Sequence, residues 1–488
     1  MLIILLRFVK KHLALLLILF LLADTIYSYH QHLLFPVDGD LPTLIAPSEG
    51  YKHVLDDPLG LRVIRYQEEY AAPNRFFAHY TTYLTFRNLP LCLQSFMSPI
   101  DSLYVSIALV KTFIQISIIL ILGVLIALPF GINLKKVLIS SSLITPFFQT
   151  SGFFEYMAVI DSSISYTMFY ALPSLLLLIF MFPYYKAAFT GYSGLPAVIK
   201  PLWVLLIVVL ALNGPLLAPI LIIACGLSLF YLIYKDWGKN GNSRFYHRLA
   251  HAVYSIDKQL LFSFLFAIGL SLYSFYIGRY NSENSWVNLS LMERYARLPS
   301  GIVNAFFSFR EGLFPIILFI VGNFVIISKI DDKQKRSIIL ALQILLVFSV
   351  IYMLMLPMGG YREYRPFILR RDTLQPVLIG LFYAYGISSF LVIKNLKGYK
   401  RYAYGFTLVI MAFMYTWRDH LPIYTNACER NSLKVLSESD ADCLKLEENC
   451  SVLQWGVFPE CDVTTYSAIM LERWNITSRP VKYFHDLE

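Results

Sequence analysis

A chain of 488 residues that is 57% hydrophobic, 16% aromatic and only 15% charged is not a set of soluble domains, which carry about a quarter of their residues as charges. Its mean hydropathy of +0.58 is spread over repeated apolar runs near the ~20 residues that cross ~30 Å of hydrocarbon, and alternating segments of ~10 residues are missing, so helices rather than a barrel must span the bilayer. The formal net charge of +9 comes mostly from lysines and arginines between apolar runs, the pattern of inner-facing loops, and no basic stripe with stacking aromatics points to nucleic acid.

In chain order, the run from Leu13 to about Tyr29 follows Arg7, Lys10, Lys11 and His12. With no small-residue cleavage site behind it, this run reads as an uncleaved first helix that starts in the cytoplasm. Residues 30–102 then lie outside, and stretches such as Arg75 to Leu93 are expected as helices resting apolar side down on the membrane. Further spans are expected from Leu103 to Phe130, Val137 to Phe154 and Tyr166 to Tyr185, then two around the turn Asn213-Gly214-Pro215. Leu260 to Ile277, Leu313 to Ser328, Ile338 to Met358, Leu374 to Ile393 and Tyr402 to Trp417 complete the series. The expected fold is an all-α polytopic membrane protein of about eleven spans. Its N-terminus is cytoplasmic, its C-terminus extracytoplasmic, and its location the plasma (inner) membrane. Residues 1–418 form the transmembrane module, with outer segments 30–102, 279–312 and 358–373, and residues 419–488 form a small outer tail.

Two constellations carry chemistry. In Asp38-Gly39-Asp40, two carboxylates stand one residue apart just past the first helix, where a general base with a divalent cation would activate an acceptor hydroxyl. The bland reading is a solvated Asp-Gly turn. The second constellation is the loop Gly359 to Asp372, whose Arg362, Arg365, Arg370 and Arg371 sit on the side where basic residues are disfavoured. A substrate phosphate would reward them through the planar guanidinium fork; local pairing with Glu363 and Asp372, or lipid headgroups, would reward them too. Lys111, two turns into its span, is read as snorkelling outward, and Glu155 and Asp161 as a solvated loop. Cys428, Cys443, Cys450 and Cys461 lack zinc-ligand spacing and suit two disulfides in an oxidising compartment, with three pairings open. Phosphate-cradling loops such as G-x-x-x-x-G-K-[ST] are missing, so a donor should come from the membrane as a lipid-linked substrate.

This layout resembles the GT-C glycosyltransferase superfamily, membrane enzymes that move a sugar from a polyprenyl-phosphate carrier. The resemblance rests on the acidic Asp38-Gly39-Asp40 after the first span, and on long outer segments at His30 to Ser102 and Arg279 to Glu311. It implies that Asp38 or Asp40 is the catalytic base or metal contact, and that an outer arginine such as Arg362 or Arg365 holds the carrier phosphate. The competing readings are a surface-polysaccharide polymerase or ligase, which would lean on the arginines alone, and a transporter or flippase of lipid-linked substrates, which would need ionisable residues at mid-membrane depth.

Overall fold

The computed structural model describes residues 2–191, 194–214, 216–237, 245–284, 289–361 and 365–486. Among them eight helices are long and apolar enough to cross a membrane: Lys11–Leu33, Pro99–Phe130, Ile164–Thr190, Leu217–Asp236, Lys258–Gly278, Glu311–Ser328, Lys335–Gly359 and Arg371–Asn395. The protein is therefore an all-α, multi-pass integral membrane protein. At the three other positions where spans were expected, the helices are shorter or more polar. Leu134–Ile144 gives way to a 3-10 turn at Thr145–Phe147, since Pro146 cannot continue the hydrogen-bond ladder. Lys200–Ala211 ends ahead of Asn213-Gly214, and Gly398–Arg418 carries Lys400 and Arg401 in its first turn.

Pro99–Ala127 and Arg371–Asn395 form the centre of the bundle, with most of their residues buried. Small residues let the neighbouring helices approach: a Cβ at Gly123 would meet Ser141 Oγ at 2.1 Å, and one at Gly386 would meet Ile126 Cδ1 at 2.4 Å. Buried polar groups add direction to that packing. Asn323 Nδ2 donates to Ser388 Oγ (3.0 Å) and Ser389 Oγ (3.1 Å), while Tyr404 OH donates to Asn323 Oδ1 at 2.6 Å, so one amide joins three helices.

The first polar segment folds into short helices at Leu41–Ile45, Glu49–Asp56 and Leu61–Tyr66 and a longer one at Phe76–Leu93. In the last, Ala78, Thr82, Phe86 and Pro90 recur every four residues and form one buried stripe. That stripe meets the tail: Trp474, fully buried, donates from Nε1 to the Phe86 carbonyl at 2.8 Å.

The tail holds two helices, Ala427–Ser437 and Thr465–Arg473, and a parallel pair of strands, Cys443–Leu446 with Lys482–His485. Cys428 bonds to Cys450 and Cys443 to Cys461, one of the three pairings the sequence left open. Polar contacts bind this tail to the bundle. Asp419 accepts the amides of Thr150 (3.2 Å), Ser151 (2.7 Å) and Gly152 (3.1 Å), and Asn426 donates to the Leu33 carbonyl at 2.8 Å. The fully buried Glu429 makes the most consequential contact: Oε2 accepts from the Val37 amide (2.9 Å) and Tyr104 OH (2.6 Å), and Oε1 from the Leu453 amide (3.0 Å).

Glutamine at 429 would present an NH2 group to a backbone N–H in either flip, Val37 in one and Leu453 in the other. A buried donor left without an acceptor costs about 1–3 kcal/mol. Glu429→Gln is therefore expected to weaken tail docking by that amount, read as faster limited proteolysis of residues 419–488 with both disulfides intact; an unchanged rate would show that the contact does not hold the tail.

Candidate active site

The end of the bundle nearest the tail gathers most of the residues singled out in the sequence, and it gives each a different task. Asp38 is 6% exposed, and both its oxygens are in use. Oδ1 accepts from the Asp40 amide (3.1 Å), the Leu41 amide (3.2 Å) and Ser165 Oγ (2.7 Å), while Oδ2 accepts from the Ser165 amide at 3.0 Å. It thus satisfies orphan amides at the start of the Leu41–Ile45 helix and pins that turn to Ser165. Gly39 follows because the tail backbone crosses there: a Cβ would lie 2.5 Å from the Trp455 nitrogen.

Asp40 is half-buried and accepts one hydrogen bond, from Trp455 Nε1 to Oδ1 at 2.7 Å. Burial, and then the adjacent Asp38 charge, push its carboxyl up from 3.8 to about 6, against the Trp455 hydrogen bond and the Arg365 charge that favour ionisation. Oδ2 has no protein donor among the described residues. Beside Trp455, with ring centroids 5.9 Å apart, stands Tyr166, whose hydroxyl accepts from Arg365 Nη2 at 2.5 Å. Asp40 and Arg365, 325 residues apart in sequence, therefore flank one tyrosine.

The other arginines divide. Arg365 Nη1 lies 3.8 Å and Arg370 Nη2 2.7 Å from Asp372 Oδ2, so two guanidinium groups share one carboxylate. Arg371 turns away, with Nη2 2.6 Å from Asp161 Oδ2 and its guanidinium carbon 4.1 Å above the Phe154 ring. Arg362 lies outside the described residues. Two expectations are corrected here. Asp161 is a buried partner of Arg371 rather than part of a solvated loop, whereas Glu155 is exposed as expected. Lys111 does not snorkel: it is fully buried, donates to the Ser162 carbonyl and lies 5.5 Å over the Phe35 ring, because the 161–163 turn brings polar oxygen to it.

Beyond Asp372 lies a narrow cavity of about 20 Å³, room for little more than a water, with Arg75, Tyr170 and Asn213 among apolar walls such as Phe169 and Leu217. Arg75 Nη1 lies 3.8 Å from Glu283 Oε2, and Tyr51 OH donates to Glu283 Oε1 at 2.8 Å. Buried His79 is held down at about 3, by burial first and by Arg75 second, and so remains neutral.

A divalent cation needs several oxygen ligands at once. Among the described residues the only trio of ligand atoms within 4.8 Å of one another is Cys428, Glu448 and Cys450, and its two sulfurs form a disulfide. With Asp38 saturated, Asp40 is the one carboxylate with an open oxygen in the motif, so the donors there do not fit a bound cation.

Known proteins supply no further guide: no protein-family model matches this sequence, and no curated protein does.

Trp455, Tyr166, Arg75 and Glu283 had no signal in the sequence, because each becomes part of the site through contacts across long chain separations. Since Trp455 Nε1 binds the titrating oxygen, its fluorescence should report Asp40. The difference in emission between wild type and Asp40→Asn is expected to titrate with a midpoint of about 6; a midpoint near the ordinary ~4 of an aspartate would show that burial does not govern this carboxyl.

Proposed function

We propose that this protein is a membrane glycosyltransferase of the GT-C type, moving a sugar from a polyprenyl-phosphate-linked donor to an acceptor hydroxyl at the outer membrane face. The observation that carries this reading is that Asp40, with one open carboxylate oxygen and a carboxyl raised to about 6, lies within electrostatic reach of Arg365, the two being linked through the neighbouring Trp455 and Tyr166 side chains. A base and a phosphate-binding guanidinium in one neighbourhood are what a displacement at an anomeric carbon requires.

In the proposed step, Asp40 Oδ2 takes the acceptor hydroxyl proton as its oxygen bonds to the anomeric carbon. The bond from that carbon to the carrier phosphate breaks, and its electron pair leaves with the phosphate oxygen. Arg365, with Arg370 behind it, stabilises that departing charge through charge-assisted hydrogen bonds. A single displacement of this kind inverts the anomeric centre. Asp38 and Arg371 serve as positioning residues, the first fixing the Asp40 turn and the second tying Asp161 to the start of its helix.

The accompanying topology is part of the proposal. The two disulfides suit an oxidising outer compartment for the tail, and the three shorter helices complete an eleven-span bundle whose lysine-rich loops face the cytoplasm of a plasma membrane. The polymerase or ligase alternative would lean on Arg362, Arg365, Arg370 and Arg371 and treat Asp38 and Asp40 as incidental; the pairing of Arg371 with Asp161 and the raised carboxyl of Asp40 favour the transferase reading over it.

With polyprenyl-phosphate sugars supplied to protein in proteoliposomes, Asp40→Asn is expected to slow carrier-phosphate release by about 10²–10⁴-fold. Arg365→Gln should cost about 10²–10³-fold. Full activity in Asp40→Asn removes the base and the reading with it. In the wild type, the acidic limb of the rate profile should fall at about pH 6, since Asp40 must be ionised to accept a proton.

A further inference from the structure

Past the C-terminal end of the Leu41–Ile45 helix, an open groove of about 660 Å³ separates the first polar segment from the tail. Ile45, Lys52 and Arg87 line one wall, and Tyr466, Met470 and Arg473 the other. Its charges are unevenly compensated. Lys52 is paired with Glu49. Among the described residues the hydrogen-bond and ring partner of Arg87 is Tyr83, to whose hydroxyl it donates while lying 4.9 Å over the ring. Arg473 has its Nε shielded from solvent with no hydrogen-bond partner. Glu472 also lines the groove, but among the described residues neither guanidinium has a carboxylate within ion-pair distance, so three cations face two carboxylates there. The two groups are also close enough that Arg473, after burial, is the second cause holding Arg87 below its usual range.

Two like charges from separate elements, converging without an ion-paired carboxylate, disfavour the folded state unless something anionic joins them. The guanidinium fork matches a phosphate group through paired N–H donors. The groove also lies close to the chemistry. The helix that Asp40 caps has five residues, about 7.5 Å at the rise of an α-helix, and its last residue lines the groove. We propose that the groove is the acceptor subsite and that Arg87 and Arg473 together grip a phosphate group on the acceptor. The word acceptor rests on the transferase reading; the phosphate site does not. The phosphate would belong either to a soluble phosphorylated acceptor or to a lipid headgroup.

The full chain in nanodiscs of phosphatidylcholine is titrated with pyrophosphate, and separately embedded in nanodiscs containing phosphatidic acid, with Tm as the readout. If the acceptor is soluble, pyrophosphate raises Tm in the wild type and in Asp40→Asn, and Arg87→Gln/Arg473→Gln needs at least about tenfold more for the same rise. Arg87→Lys/Arg473→Lys, which keeps the charge but not the fork, should retain a weaker response and so shows that loss in the Gln pair is not misfolding. If phosphatidic acid alone raises Tm and the Gln pair loses that rise, the acceptor is a lipid. An equal rise in the Gln pair, or none from either probe, overturns the proposal. Because Asp40→Asn is expected to bind while failing to transfer, loss of the transferase reading and loss of this site give different results.

Discussion

The buried carboxylate of Glu429 is the contact on which this architecture turns. It accepts from Val37 in the turn after the first helix, from Leu453 in the tail and from Tyr104 in the central Pro99–Ala127 helix. Burial drives its pKa from 4.5 up to about 7 in spite of those three donors, a sign that the carboxylate gives up much hydration to stand there. Such a group is retained where it fixes geometry, and here it sets the register between Val37 and Leu453. Three residues on from the first is Asp40 and two on from the second is Trp455, so the hydrogen bond between these two side chains follows from the placement of Glu429.

Charge around the site is arranged in a descending series of commitment. Asp38 is saturated by amides and a hydroxyl, Arg371 and Asp161 are locked together under an aromatic face, and Arg370 and Arg365 divide Asp372 between them. Asp40 and Asp372 each keep one oxygen without a protein donor among the described residues, but Asp372 already shares its other oxygen between two guanidinium groups, whereas Asp40 holds a single indole N–H. A network nearly complete in its internal partners is rigid, and rigidity is what an electrostatic site needs if charge is to be stabilised without reorganisation. Lys111 belongs to the same scheme, since its ammonium lies beneath the 161–163 turn and within electrostatic reach of both Asp161 and Asp38.

Hydropathy made the bundle legible: eight of the expected spans coincide with long apolar helices, because burial in hydrocarbon leaves a pattern that needs no knowledge of neighbours. It was less decisive where Pro146 or the Asn213 turn interrupts an apolar run, and where tyrosines and basic residues dilute one, as in Gly398–Arg418. Within the site, spacing singled out Asp38 and Asp40 as a pair but could not divide their roles, which depend on Ser165 and Trp455, 127 and 415 residues away. The loop arginines were conspicuous for standing together between two apolar runs, yet nothing local shows that Arg371 meets Asp161 across 210 residues. For Lys111 the reading failed for the same reason: a lone cation in an apolar helix looks committed to the surface until the turn that receives it is seen.

The meeting of Gly39 with the Trp455 backbone has a consequence for how the molecule comes into being. Ribosomal synthesis delivers Asp40 near the outset, while the indole that completes its surroundings emerges only after every hydrophobic helix has been threaded into the bilayer. Oxidation of two cysteine pairs must then shape the segment that carries the indole. A partly assembled chain thus holds its carboxylate in an unfinished setting, completed only once the disulfide-bonded segment is in place, under the redox conditions of whichever compartment receives the tail.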